Sequence, residues 1–315
     1  MKKLIALLLA VIMLLSFGAC AKSGSGAALN VMALKGPTGI NTAKLASDNA
    51  SGYNITFASA PEEITGKLIT GECDIACVPT NLASVLYKKT NGGVKVAAVT
   101  TLGVLYIVDT SGKVNSLADL SGMTIGATGK GSNPEYILNK LLADNGLEGK
   151  VEVNYFAEHA ELASHVVSGE IQTAMLPEPF VTQVMANCDK NVNTIDLQSE
   201  WEKTAGGVEL AQGVIVVRSE TIGKNKAAVD KFLEEFKQSS EYAADNIADA
   251  AQICEDLGII ASAKVAERAI PRCNIVYISG ENMKNCVNGF LNTLFEANPA
   301  SIGGEMPSDD FYYAG

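Results

Sequence analysis

Histidine is almost missing from this chain: His159 and His165 are the only two in 315 residues. No helical or strand period sets them side by side, so a metal site is not expected. Enzyme signatures are missing as well. There is no G-x-S-x-G elbow, no H-E-x-x-H pair and no Walker loop, and no acid or nucleophile is positioned to make His159 a general base. Catalytic residues and cofactors are therefore not expected. Tryptophan occurs once and aromatics make up 6%, which argues against a site built on extensive ring stacking. Cations are scarce too: 24 Lys and Arg face 35 Asp and Glu, a formal charge of −11. Nucleic acid, which needs clustered cations, is excluded as a partner, and the acidity reads as solubility.

Long apolar runs are missing except at the start. Lys2 and Lys3 precede an unbroken apolar stretch, Leu4–Leu15, and then small residues. That order makes a secretory signal peptide over 1–19, too short for a bilayer span of about 20 residues. Phe17-Gly18-Ala19-Cys20 is similar to the lipobox of bacterial lipoproteins, with Phe17 where Leu is usual. Ala19-Cys20-Ala21 also fits an ordinary cleavage after Ala21. The Lys22–Ala28 stretch is a flexible tether by composition and favours the first reading: lipidated Cys20, with 20–28 tying an exported protein to the membrane.

Six cysteines follow Cys20, in a compartment that permits disulfides. Cys73 and Cys77 lie on one expected strand, roughly 13 Å apart, beyond disulfide reach. A pair among Cys254, Cys273 and Cys286 is expected to be feasible.

Beyond the tether, apolar strands alternate with helices. Leu29–Leu34 is a strand, Gly36-Pro37-Thr38-Gly39 breaks it, and a helix follows from Ile40; similar units run over Ile55–Gly71 and Asp74–Lys88. Met123–Ala127, a break at Gly129–Ser132 and a helix over Asn133–Asn145 open a second series. Leu210–Arg218 reads as a strand that returns to the first sheet, and the remainder reads as helical, with Val229, Phe232, Leu233 and Phe236 on one face. Strands separated by helices imply an α/β protein with mostly parallel sheets. The expected division is one lobe from 29–109 with 213–315 and a second from 110–212. Two crossings between them make a hinge and a cleft.

Gly71-Glu72-Cys73-Asp74-Ile75-Ala76 ahead of Pro79-Thr80-Asn81, the Ser116–Gly126 segment, Gly131-Ser132 opening a helix and Glu178-Pro179-Phe180 after a strand carry a resemblance. The chain resembles the periplasmic-binding-protein type II superfamily, in its nitrate/sulfonate/thiamine-precursor branch. The resemblance implies a two-lobe α/β fold with a ligand cleft, and a monomer that captures a small solute and delivers it to the permease and ATPase of an ABC importer. Yeast-type pyrimidine synthases share the fold but depend on a cysteine-rich iron motif that this sequence lacks. A lyase of the menaquinone-pathway type and a ligand-sensing subunit of a membrane receptor are the alternatives. The export signal argues against the lyase.

The candidate ligand contacts sit where strands give way to helices. In Gly36, Pro37, Thr38 and Gly39 the non-proline residues offer free backbone N–H groups, and Thr38 a hydroxyl, to an acceptor-rich group. Thr80 and Asn81 follow the third strand and are equally suited to capping. Gly131, Ser132 and Asn133 form the matching break in the second lobe, where Ser132 and Glu135 also fit a capping box. Glu178, between Pro177 and Pro179, is the candidate acidic contact. In the resembled branch the matching Glu-Pro segment approaches the ligand. A solute meeting Glu178 and two helix starts is expected to be a zwitterion or an amino-heterocycle, with nitrate disfavoured.

Overall fold

The structure, a computed structural model, describes residues 28–48 and 52–315. The expected signal peptide, Cys20 and nearly all of the tether lie outside the described residues.

In chain order the first elements are β1 (Leu29–Leu34), α1 (Pro37–Ser47), β2 (Tyr53–Ala58), α2 (Pro61–Thr70), β3 (Ile75–Pro79), α3 (Thr80–Lys89) and β4 (Val94–Thr101). Next come β5 (Leu105–Asp109), β6 (Thr124–Thr128), α4 (Asn133–Asp144), β7 (Glu152–Phe156), α5 (His159–Ser168) and β8 (Thr173–Pro177). They are followed by α6 (Phe180–Asn187), β9 (Asn193–Asp196), α7 (Leu197–Thr204), β10 (Gly213–Arg218) and α8 (Ser219–Asp245), which kinks at Asn225. The last are α9 (Ile247–Asp256), α10 (Ala263–Ala269), β11 (Ile275–Ile278) and α11 (Gly280–Ala297).

Two sheets result, ordered β11-β4-β10-β3-β1-β2 and β7-β6-β8-β5-β9. Both are mixed. In the first, β1, β2 and β3 are parallel neighbours, while β10 and β11 run against β4. In the second, β6 is parallel to β7 and β8, and β5 runs against β8 and β9. Helices cover both sheets. The Val229, Phe232, Leu233 and Phe236 face of α8 packs on Val31, Ile75, Ile215 and Val217 as its spacing requires. Each such buried side chain contributes about 2 kcal/mol relative to exposure.

Four expectations need correction, the first being that the sheets are mixed and not mostly parallel. Leu105–Asp109 pairs with β8 in the second sheet, so the first crossing falls at Leu102–Val104 and not after residue 109. A continuous apolar stretch carries no mark of the sheet it joins. The C-terminal part is not wholly helical either, because Ile275–Ile278 adds an edge strand, β11. Finally, all six described cysteines are free thiols: Cys254 and Cys273 are buried in one apolar cluster, and Cys286 packs against a different one.

Candidate functional site

The strand directions set the site. The carboxyl ends of β1, β3 and β4 and the start of β10 lie at one edge of the first sheet. The carboxyl ends of β6, β7 and β8 lie at one edge of the second. The chain crosses between these edges twice, at Leu102–Val104 and at Ala205–Gln212. The crossings bind each other: Val104 N donates to Gln212 Oε1 at 2.7 Å and Gln212 N to the Thr101 carbonyl at 3.0 Å. Gly103 N donates to Gln198 Oε1 at 2.9 Å, and the Asn274 side chain donates to the Gly103 carbonyl. This is the expected place for a hinge, and most of its polar groups have partners.

Gly36 is buried with φ 97° and ψ −146°, a conformation open essentially to glycine alone. A Cβ there would lie 3.8 Å from Pro179 Cδ, so the first βα loop rests against the second sheet's Glu178-Pro179 turn. Pro37 occupies the first turn of α1. The Thr38 hydroxyl donates to the Leu34 carbonyl at 2.9 Å and stays partly exposed. Gly39 has a packing role: a Cβ there would meet Ile259 and the Leu34 carbonyl at 2.8 Å.

Thr80 and Asn81 are buried. The Thr80 hydroxyl donates to the Ala211 carbonyl at 2.6 Å and its N–H to the Gln212 carbonyl at 3.1 Å, which ties α3 to the second crossing. Asn81 Nδ2 donates to the Ser301 carbonyl, and its Oδ1 has no partner among the described residues.

In the second lobe Gly131 is exposed and Asn133 is 2% exposed. The capping box does not form at Ser132. Its hydroxyl donates to the Gly129 carbonyl, and Glu135 Oε2 accepts from Gly131 N at 2.6 Å, one residue beyond the cap. The paired glycine turns, Gly129 and Gly131 both at positive φ, curl the loop so that the Gly131 N–H is the one in reach.

Glu178 also differs from expectation. Its side chain is fully buried, one oxygen accepting from Thr182 N at 3.1 Å and the other from Arg272 Nε. It is therefore closed off from solvent and already paired with a protein cation. Arg272, just before β11, is the residue that sequence reasoning missed. It reaches from the first sheet's side to the second, with Cζ 4.3 Å above the Tyr106 ring and its carbonyl accepting from the Tyr106 hydroxyl at 3.3 Å. Burial pushes the Tyr106 hydroxyl pKa well above its ordinary value, so it remains a donor. Arg272 Nη2 is buried with no partner among the described residues. An isolated arginine in a Pro-Arg-Cys-Asn turn has no periodic signal, and its partner is 94 residues away.

His159 opens α5 at the same edge, its Nδ1 2.6 Å from the Thr128 hydroxyl and its ring 5.3 Å from that of Phe180. Burial lowers its pKa from 6.5 to about 4, so the ring is neutral near pH 7. Among the described residues no group of three or more His, Cys, Asp or Glu could hold a metal ion. Two surface cavities, of about 410 and 310 Å³, are lined by Asp230, Tyr277 and Tyr313 and by Glu135, Tyr136 and Asn298. Neither includes Gly36, Thr80 or Glu178, and the crossings carry the denser polar chemistry.

Comparison with known proteins follows the same lines. The family model described as NMT1/THI5 like matches residues 54–250. No curated protein matches by sequence. Among solved structures, an ABC transporter protein from Parabacteroides distasonis is similar with a TM-score of 0.79 and 24% identity, covering 91% of this chain and 99% of that one. The periplasmic aliphatic sulphonate binding protein SsuA from Escherichia coli is similar with a TM-score of 0.71 and 15% identity, over 92% and 94%. The periplasmic nitrate-binding protein NrtA from Synechocystis PCC 6803 gives 0.59 and 14%, over 90% and 83%. At these identities the likeness is one of fold, the two-lobe periplasmic-binding-protein type II arrangement.

Proposed function

Because the chain belongs to the NMT1/THI5-like family, we propose that it is an extracytoplasmic solute-binding protein that delivers a small organic solute to an ABC importer. The observation that carries this reading is Arg272, a cation standing between two sheet edges with a buried donor that no other described residue claims. Fold similarity to a sulphonate-binding and a nitrate-binding protein supports the same reading.

The proposed lobes are 29–104 with 213–315, and 105–212. The solute lies between them, with an acceptor-rich end, of which a sulfonate is one example, toward Arg272 and the N–H groups of Gly36 and Thr38. With Glu178 already paired, its charge gives no reason to exclude a simple anion such as nitrate, and a cationic end on the solute is not required. We read the protein as a binder and not an enzyme. His159, its pKa lowered to about 4 by burial, is a weak base engaged by Thr128, and closure on a solute is a population shift that needs no chemistry. Cys20 is the proposed lipid anchor, tested by fractionating a Cys20→Ala variant, which should leave the membrane.

A thermal-shift panel of sulfonates, nitrate, pyrimidines, thiamine and amino acids tests the function. A true ligand at 100 times its dissociation constant adds about 2.7 kcal/mol. A panel in which the anionic members never stabilise the protein, and some cation does, overturns the Arg272 assignment.

A further inference from the structure

The end of β4, next to the first crossing, and the start of α4 hold polar atoms that the described residues leave unused. Thr100 Oγ1, Thr101 Oγ1 and Asn133 Oδ1 are buried without a hydrogen-bond partner among the described residues, in side chains 0%, 2% and 2% exposed. Buried polar groups are nearly always satisfied, and leaving one unmet costs about 1–3 kcal/mol. Three together at a hinge need a reason.

Local geometry shows that they form one group. Opposite β10 the register of β4 slips, with Gly213 facing Thr101 and Val214 facing Val99, so Thr100 is the extra residue of a bulge. A bulge re-aims side chains that would otherwise point to opposite faces. Here it brings both hydroxyls to the same spot: a Cβ on Gly213 would lie 3.2 Å from Thr101 Oγ1 and 3.3 Å from Thr100 Oγ1. Asn133 reaches the residue before Gly213 from the second lobe. Its Nδ2 donates to the Gln212 carbonyl at 3.1 Å, which fixes the amide and leaves Oδ1 as a pure acceptor. None of the three is ionisable.

We propose that Thr100 and Thr101 at Gly213, with Asn133 at the adjoining Gln212, form a neutral subsite at the cleft floor that takes an N–H- or O–H-bearing group of the solute. This rests on the solute-binding reading above and narrows it. Asn133 Oδ1 requires a donor, and the two hydroxyls can each give or accept a hydrogen bond. The floor is linked to Arg272 through the protein: Asn133 to Gln212, Gln212 Oε1 to Val104 N, the Val104 carbonyl to Glu178 N, and Glu178 to Arg272. One solute can thus be read at two ends, an acceptor end by Arg272 and an uncharged donor end by the floor. Because Asn133 and the two threonines come from different lobes, a solute bound there joins the lobes.

The test uses the purified mature protein and the small-molecule fraction of yeast extract as the probe. Protein is incubated with the fraction and freed of excess by gel filtration. Retained solutes are then released by denaturation and identified by mass spectrometry. Wild type, Thr100→Val/Thr101→Val, Asn133→Leu and the hydroxyl-keeping Thr100→Ser are compared, each confirmed as folded by its melting transition. The expected result is one solute bearing an amino, amide or hydroxyl group, retained at least tenfold less by the double valine variant and by Asn133→Leu, and held by Thr100→Ser as by wild type. Equal retention by wild type and the valine variant overturns the subsite while leaving the binding function intact. So does a retained solute with no N–H or O–H donor. A wild-type protein that retains nothing overturns the binding reading itself, and the subsite with it. If one variant does not fold, the crystal structure of the loaded wild type decides: a solute donor within hydrogen-bond distance of Asn133 Oδ1 supports the proposal, and water alone there overturns it.

Discussion

The two edges that face each other across the crossings are built from the same sequence grammar and behave differently. On the first sheet's edge, Lys35 and Arg272 apart, the polar side chains are neutral, and several are spent on backbone carbonyls: Thr38 on Leu34, Thr80 on Ala211, Asn41 on Pro37 and Thr100. The second sheet's edge carries the titratable groups, Glu178 and His159, with Glu178 held by an arginine from the other side. Their glycine loops differ as well. Gly36 is locked against Pro179, whereas Gly131 is exposed and tied only to Glu135 of its own helix. A glycine between strand and helix therefore does not by itself mark a contact surface. What lies opposite the loop decides it.

The largest effect that can break this contrast is at the pair joining the edges. Glu178→Ala strands Arg272 against Tyr106, and removing one partner of a buried pair typically costs about 3–5 kcal/mol. Because Arg272 is 29% exposed, the lower end, about 3 kcal/mol, is expected in a denaturant or calorimetric melt. A loss below about 0.5 kcal/mol would make the pair an ordinary surface bridge and remove the reason for treating the two edges as joined.

The next effect is pH. His159 has its pKa depressed by burial from 6.5 to about 4 in the folded chain. Between those values the unfolded chain binds the proton and the folded chain does not. The contribution is thus intact above about pH 6.5 and is lost as pH falls toward 4, by on the order of 2 kcal/mol. His159→Gln should flatten the stability profile over that window. A wild-type profile that is already flat there would show that the histidine is solvated and that the second edge is not distinctively titratable.

The smallest effect separates the two glycines. Gly36→Ala forces a side chain into a glycine-only conformation and should cost about 1–3 kcal/mol. Gly131→Ala, at φ 77° with nothing within 4 Å of the new Cβ, should cost about 1 kcal/mol. Paired thermal melts compare them, and the reverse order would contradict the locked-loop account.

Much of the fold was legible because apolar, β-branched runs such as Ile75–Val78 and Val214–Val217 are bounded by glycine and polar breaks. The elements that escaped notice had weak signals. β9, Asn193–Asp196, is short and polar, and β11 is a four-residue edge strand with every residue half-buried. The site was half legible. Breaks at Gly36, Thr80 and Gly131 were correctly placed at the sheet edges, since loop position follows from chain order. Arg272 and the proposed Thr100/Thr101 floor were not, because a long-range ion pair and a bulge arise from pairing between distant segments. The role expected of Glu178 changed for the same reason: sequence shows a carboxylate but not the guanidinium that claims it.

The central claim is that the two lobes close on a solute held between these edges. Small-angle scattering tests it most directly, on protein stripped of bound solute by unfolding and refolding, and on the same protein saturated with the solute that most raises its melting temperature. The account predicts a smaller radius of gyration with the solute. An unchanged radius, with a solute of proven affinity, would contradict closure and make the crossings a rigid connection.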